Sequence, residues 1–224
     1  MGAASDGGRD LAQVDRLQNL YTAVVADCLD QLDVRGNVMR PNIRPLYTSA
    51  KLAGFARTVR AITVDAPPAD KDDWYRGELQ AVDALTDGDV IVVSTIDGSY
   101  WGELLATAAR YRGARGIVAD AYTRDALALI EMEFPTFVTG ISAYDSIGRV
   151  DVESVDVPLE CGGVRVDPGD LVLADYDGVV VVPAVIADEV LSLAEEKVSG
   201  EDLVRSKLAE GMPVWDAFRA YGVI

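Results

Sequence analysis

The 224-residue sequence contains no histidine. Imidazole is therefore absent as general base, nucleophile partner or metal ligand, and the chemistry falls to carboxylates, arginine and a hard metal ion. Cysteine is scarce: Cys28 and Cys161 stand alone, neither in a CxxC pair, so no disulfide framework is indicated and both are expected as buried apolar thiols. Long apolar runs are missing. Val179-Val180-Val181-Val182 is typical, far short of the ~18–20 residues that span a bilayer. Residues 1–10 are small and polar, without the apolar region of a signal peptide, and Met1-Gly2 is not followed by Ser or Thr at position 6, which is Asp6. A soluble cytoplasmic protein is expected, with a flexible segment over residues 1–10.

Positive charge is also in short supply. Lys and Arg total 20 against 37 Asp and Glu, giving a net charge of −17, and only Lys51, Lys71, Lys197 and Lys207 are lysines. A nucleic-acid footprint needs a basic face, and anionic membrane surfaces are disfavoured for the same reason. A small anionic substrate would need local positive charge to overcome the field. Neither GxGxxG nor GxxxxGK[ST] occurs, which removes the dinucleotide and nucleoside triphosphate loops. There is no GxSxG elbow for a serine hydrolase.

What is present is half hydrophobic residues (50%), enough for a substantial core. From 11 to 32 apolar residues recur at helical spacing, as one kinked helix or two short ones with Thr22 a cap between them. Residues 33–46 read as loop, 52–64 as strand, 66–73 as an exposed acidic loop and 74–84 as helix. A regular alternation follows: strand 90–94, helix 102–112, strand 116–120, helix 124–133, strand 134–139. This pattern predicts crossover units and a parallel sheet core. Short strands at 149–157, 162–166, 171–174 and 179–182 come next, the last two joined by the turn Asp175-Tyr176-Asp177-Gly178. A charged helix closes the chain over 184–211. One α/β domain over residues 11–224 is expected.

Two segments invite chemistry. Thr123 reads as a helix cap, placing Arg124 and Asp125 in the first helical turn, where an acid is favoured by the helix dipole. Gly102 opens another helix after a strand, where exposed backbone amides bind carboxylates. Each has an ordinary explanation as well, dipole complementation and a simple turn. Together they lie beyond the C-terminal ends of predicted strands, the edge where open α/β sheets bind ligands.

The sequence Trp101-Gly102-Glu103-Leu104-Leu105-Ala106, then Arg112-Gly113, Gly116, Asp120 and Arg124-Asp125, resembles the 4-hydroxy-4-methyl-2-oxoglutarate aldolase family, which also holds the RraA-like regulators of ribonuclease activity. The shared signature is an acid, twenty residues, then Arg-Asp, and Glu103 to Arg124-Asp125 matches it. Further matches are Ala53 to Val59, Phe134-Pro135-Thr136-Phe137, Pro168-Gly169-Asp170 and Asp177 to Pro183. The resemblance implies a single α/β domain with a swivelling β/β/α-type core and helices flanking mixed sheets. It implies trimers or hexamers with the active site at a subunit interface, a Mg²⁺ or Mn²⁺ cofactor, and cleavage or decarboxylation of 2-oxo acids such as oxaloacetate through pyruvate enolate. Carried over, Asp125 is the direct metal ligand and Arg124 holds the 2-oxo oxygen. The amides of Gly102, Glu103, Leu104 and Leu105 grip the substrate carboxylate. Glu103 and Asp120 join the catalytic set. Glu103, and Glu201 from a neighbouring subunit, reach the metal through water. Departures are Ala121 where the family has Gly, Val138-Thr139-Gly140 without the usual basic residue, and Ala143-Tyr144 where Ser or Thr followed by Pro is common. The alternative within the same resemblance is a non-catalytic, protein-binding regulator of a ribonuclease; the acid at 125 favours the enzyme.

Overall fold

The structure, a computed structural model, describes residues 9–222. Most of the expectation for residues 1–10 concerns residues outside that range; within it, Asp10 caps the first helix by accepting from the Ala12 amide at 2.9 Å, and Arg9 pairs with buried Asp89 at 2.5 Å.

Two helices open the fold, α1 (Leu11–Gln18) and α2 (Thr22–Gln31). The cap expected of Thr22 is corrected: Thr22 is the first residue of α2, and its amide and hydroxyl donate to the Asp175 carboxylate at 2.9 and 2.6 Å. A distant acid thus satisfies the amides at that helix start. The segment expected as loop contains a two-residue strand, β1 (Arg44–Pro45), before the long β2 (Leu52–Thr63). Then come α3 (Arg76–Asp83), β3 (Asp89–Val93), β4 (Ser99–Trp101), α4 (Glu103–Tyr111), β5 (Gly116–Thr123), α5 (Ala126–Glu131) and β6 (Thr136–Ile141). β7 (Val150–Val155), the hairpin β8 (Leu159–Cys161) and β9 (Val164–Val166), β10 (Leu171–Ala174), β11 (Val179–Val182), α6 (Ala187–Ala209) and α7 (Val214–Tyr221) complete it.

The main sheet runs β1-β6-β5-β3-β2-β10-β11, with β4 added beside β5 and β7 beside β2. Its centre is parallel, as the strand and helix alternation predicts: β2 with β3, β3 with β5, and β5 with β6. Its flanks are antiparallel, so the sheet is mixed. Side chains alternate between two faces. On β3, Ile91 and Val93 pack with Trp101, Ala106 and Leu129 under α4 and α5. Val90 and Val92 face the other way, toward Phe137, Cys161 and Val181. A third cluster packs α1, α2 and α6 on Phe55, Leu173 and Val180. Both cysteines are buried and unpaired, and burial pushes the Cys161 thiol up to about 12, so it is an inert core group. Among the described residues no helix is long and apolar enough to cross a membrane.

Candidate active site

The site forms where β4 and β5 end side by side, Trp101 paired with Thr123. β5 runs three residues further than its sequence suggests, so Thr123 is its buried last residue and not a helix cap. The Thr123 hydroxyl donates to the Trp101 carbonyl at 3.0 Å, stitching the two strand ends together. Asp125 becomes the helix cap, held at φ 55 and ψ 31. A non-glycine residue in this left-handed region is uncommon, and Asp tolerates it better than most.

Gly102 caps α4. A Cβ there would stand 2.8 Å from Asp125 Oδ2 and 3.4 Å from Arg124 Cγ, so glycine is what lets these groups approach. The Glu103 amide donates to Asp125 Oδ2 at 3.2 Å. Ala106 is the first amide to bond back within the turn, to Gly102 at 3.1 Å. The amides of Leu104 and Leu105 therefore lack intrahelical acceptors. Arg124 Nε lies 3.6 Å from Asp125 Oδ2, and its terminal nitrogen 3.0 Å from Asp145 Oδ2. Burial would raise the Asp145 carboxyl, but the Ile147 amide, Arg124 and Tyr75 outweigh it and hold Asp145 below its ordinary value.

Two hollows meet at this point. A cavity of about 300 Å³ takes in Gly102, Leu104, Leu105, Arg124 and Asp125. An open groove on the other side takes in Glu103, Leu104 and Asp125 with Glu131. The Glu103 carboxylate accepts from Thr107 at 2.8 Å. Asp125 borders both hollows, Arg124 only the cavity and Glu103 only the groove.

Asp120, expected in the catalytic set, lines neither hollow, and Glu201, expected from a neighbouring subunit, lines neither hollow of its own chain. Asp120 shares the face of β5 with Val118, opposite the α4 layer. Its buried carboxylate accepts from Arg40 at 2.7 Å, from Thr95, and from the Gly162 amide at 3.3 Å. It ties the β8–β9 hairpin to the sheet and does not line the cavity. Glu201 lies on α6, where Tyr21 of the α2 cap donates to it; burial and that carboxylate push the Tyr21 phenol up to about 12. Sequence reasoning missed Tyr75, Glu78, Tyr100 and Asp145, all of which line the cavity. Tyr75, at φ 59, donates to Asp145 at 3.2 Å. No motif marks these four; an acid at position 78 inside an otherwise amphipathic helix was the one available signal.

No three acidic or cysteine side chains gather into a metal cluster among the described residues. Mg²⁺ keeps several waters and takes one or two protein carboxylates, so a single half-exposed Asp125 in the cradle left by Gly102 fits such an ion.

The chain matches the RraA-like family, described as Aldolase/RraA, over residues 22–181, and it belongs to that family. It is 28% identical over 211 residues to a protein of Halalkalibacterium halodurans named "putative 4-hydroxy-4-methyl-2-oxoglutarate aldolase", covering 93% of this chain and 92% of that one. It matches Legionella pneumophila DlpA at the same identity but spans only 33% of that longer protein. Among solved structures, an uncharacterized Pseudomonas syringae protein superposes with a TM-score of 0.85 at 27% identity, covering 98% of this chain and 99% of that one. Streptomyces coelicolor RraAS2, described as an unusual member of the RNase ES inhibitor RraA protein family, superposes at 0.76 with 29% identity over 88% of this chain and 98% of that one. The mixed sheet with flanking helices is thus the RraA-like fold.

Proposed function

We propose that this protein is a divalent-metal-dependent lyase that cleaves the C3–C4 bond of 2-oxo acids, releasing pyruvate by retro-aldol cleavage of 4-hydroxy-2-oxo acids or by decarboxylation of oxaloacetate. The carrying observation is the convergence of Arg124, Asp125 and the amide turn at Gly102 on one seam. Family members named as aldolases support the reaction class.

Asp125 would hold Mg²⁺ or Mn²⁺, with Glu103 and a neighbouring subunit's Glu201 acting through water. The ion, when bound, supplies Lewis-acid polarisation of the 2-oxo group. The amides of Leu104 and Leu105 donate to the substrate carboxylate. As the C3–C4 bond breaks, its electron pair moves onto C2–O, and Arg124 donates to that oxygen as charge builds. In the retro-aldol case the C4 hydroxyl passes its proton to a water held by Glu103 and C4 leaves as a carbonyl; in the decarboxylation CO₂ departs. Protonation of C3 then yields pyruvate, and Glu103 serves this transfer from the groove. Asp120 is assigned to positioning, since its carboxylate is taken by Arg40, Thr95 and Gly162. Lys51 does not line the cavity, which disfavours a Schiff base.

Assembly as a trimer or hexamer would bring Glu201 to the site and cover Leu104, 77% exposed beside the groove. The test is pyruvate release from 4-hydroxy-2-oxo acids and oxaloacetate, with and without Mg²⁺ or Mn²⁺. The likeness to RraAS2 favours a second reading, a protein-binding regulator; it predicts no pyruvate from any substrate and direct binding to a ribonuclease.

A further inference from the structure

The cavity holds polar groups that the lyase reading does not use, Glu78 and Tyr100 among them. Glu78 is 4% exposed, lines the cavity and accepts from the Ser146 hydroxyl at 3.1 Å. Burial pushes its carboxyl up to about 7, so it is largely protonated in mildly acidic solution and able to donate. Tyr100 is 2% exposed and lines the same cavity. Its buried hydroxyl finds no partner among the described residues, and such a group is costly to leave unpaired. The rest of the wall is mixed: Leu79 and Leu105 are apolar, Tyr75, Ser99 and Tyr144 bring hydroxyls, and the buried Trp101 indole N–H also finds no partner among the described residues.

Charge decides what can enter. Arg124 is the cation among the lining residues, and it is already engaged by Asp145 and Asp125. A second carboxylate pushed past it would meet the Asp145 carboxylate with no free cation among the lining residues, and like-charge contacts in a desolvated site are strongly unfavourable. An uncharged hydroxyl would instead meet a phenol and a carboxyl, each able to donate or accept.

We propose that this cavity receives the uncharged, hydroxyl-bearing distal chain of a monocarboxylic 2-oxo acid, with Glu78 and Tyr100 as the specificity-determining pair. The proposal rests on the reading of the Arg124–Asp125 seam as the 2-oxo acid end. The dicarboxylates that fit the family's aldolase name are then the poorer substrates of this chain.

The test is calorimetric binding in the presence of Mn²⁺, comparing 2-oxopentanoate with 2-oxoglutarate, and 4-hydroxy-2-oxopentanoate with 2-oxopentanoate, alongside pyruvate release from the hydroxylated acid. The monocarboxylate is expected to bind at least about tenfold tighter than the dicarboxylate. Tyr100→Phe and Glu78→Gln, which keep shape and are checked by thermal melts, are each expected to cut the advantage of the hydroxylated ligand about fivefold. Equal or tighter dicarboxylate binding, no binding of either acid, or an unchanged hydroxyl advantage in both variants overturns the proposal. A preserved monocarboxylate preference without pyruvate release sinks the lyase reading and leaves the cavity's preference standing. Pyruvate release without the preference does the reverse.

Discussion

At the residue scale, few groups carry charge to the seam, and Arg124 is the cation among them. Removing Arg124 as Ala is expected to lower kcat by about 10²- to 10³-fold, the usual loss for one oxyanion donor, with KM changed much less; steady-state pyruvate assays check this, and near-normal turnover would remove Arg124 from the role. Asp125→Asn is the cleaner ligand test than Asp125→Ala, because Asn also tolerates the left-handed backbone seen at φ 55. It is expected to fold with an unchanged melting profile and to lose metal-dependent activity. Glu78 makes a pH prediction. Its carboxyl is raised from 4.5 to about 7 by burial, so its neutral form is the one that the fold favours. The stability it contributes is complete below the unfolded value and is lost as pH rises through the folded one. The loss is on the order of 3 kcal/mol. Glu78→Gln should flatten that dependence, read as urea midpoints between about pH 4.5 and pH 7; parallel curves for the two proteins would contradict it. Residue identity was legible at Arg124 and Asp125 because they are adjacent to a strand end. The face that Asp120 takes was not legible because it depends on parity: Ile117, Ala119 and Ala121 face α4, so position 120 faces away.

At the element scale, Gly102→Ala is the informative change. Its backbone is ordinary extended chain, so the new Cβ costs little intrinsically, but it would press on Asp125 Oδ2 at 2.8 Å. The carboxylate must swing off the Glu103 amide. Activity is expected to fall by tenfold or more, while stability changes by less than about 1 kcal/mol. Gly54 in β2 is the contrast. A Cβ there would meet the Gly88 carbonyl oxygen at 2.4 Å, backbone that cannot yield. Gly54→Ala should destabilise by about 1–3 kcal/mol with no specific effect on turnover once folded; denaturant melts separate the two variants. Elements with clear apolar periodicity or β-branched runs were legible, such as β2, β10 and β11. The three-residue β4 and β8 were not, because so short a strand has no period of its own and exists through its neighbours. β4 is held by pairing with β5, and that pairing is what brings Gly102 to Arg124. α7 was missed too, although Pro213 precedes it and Gly222 ends it at φ 74.

At the scale of the whole molecule, a net charge of −17 surrounds a seam with one arginine, itself engaged by two acids. A monomer in that state would repel an anionic substrate, and on the proposed lyase reading a dication or a partner subunit would supply the missing positive charge. Mn²⁺ at about one hundred times its Kd should stabilise the protein by about 2.7 kcal/mol, read as a rise in Tm that Asp125→Asn abolishes. Light scattering is expected to find a trimer or hexamer. The parallel core was readable from the order of strands and helices, whereas the antiparallel flanks were not, since pairing between distant segments such as β2 with β7 leaves no local trace. The most direct measurement is pyruvate release by the native chain and by Asp125→Asn across 4-hydroxy-2-oxo acids and oxaloacetate, each with Mg²⁺, with Mn²⁺ and with chelator. Metal-dependent pyruvate formation by the native chain alone is the predicted result; no pyruvate with either ion, or equal release by both proteins, would contradict it.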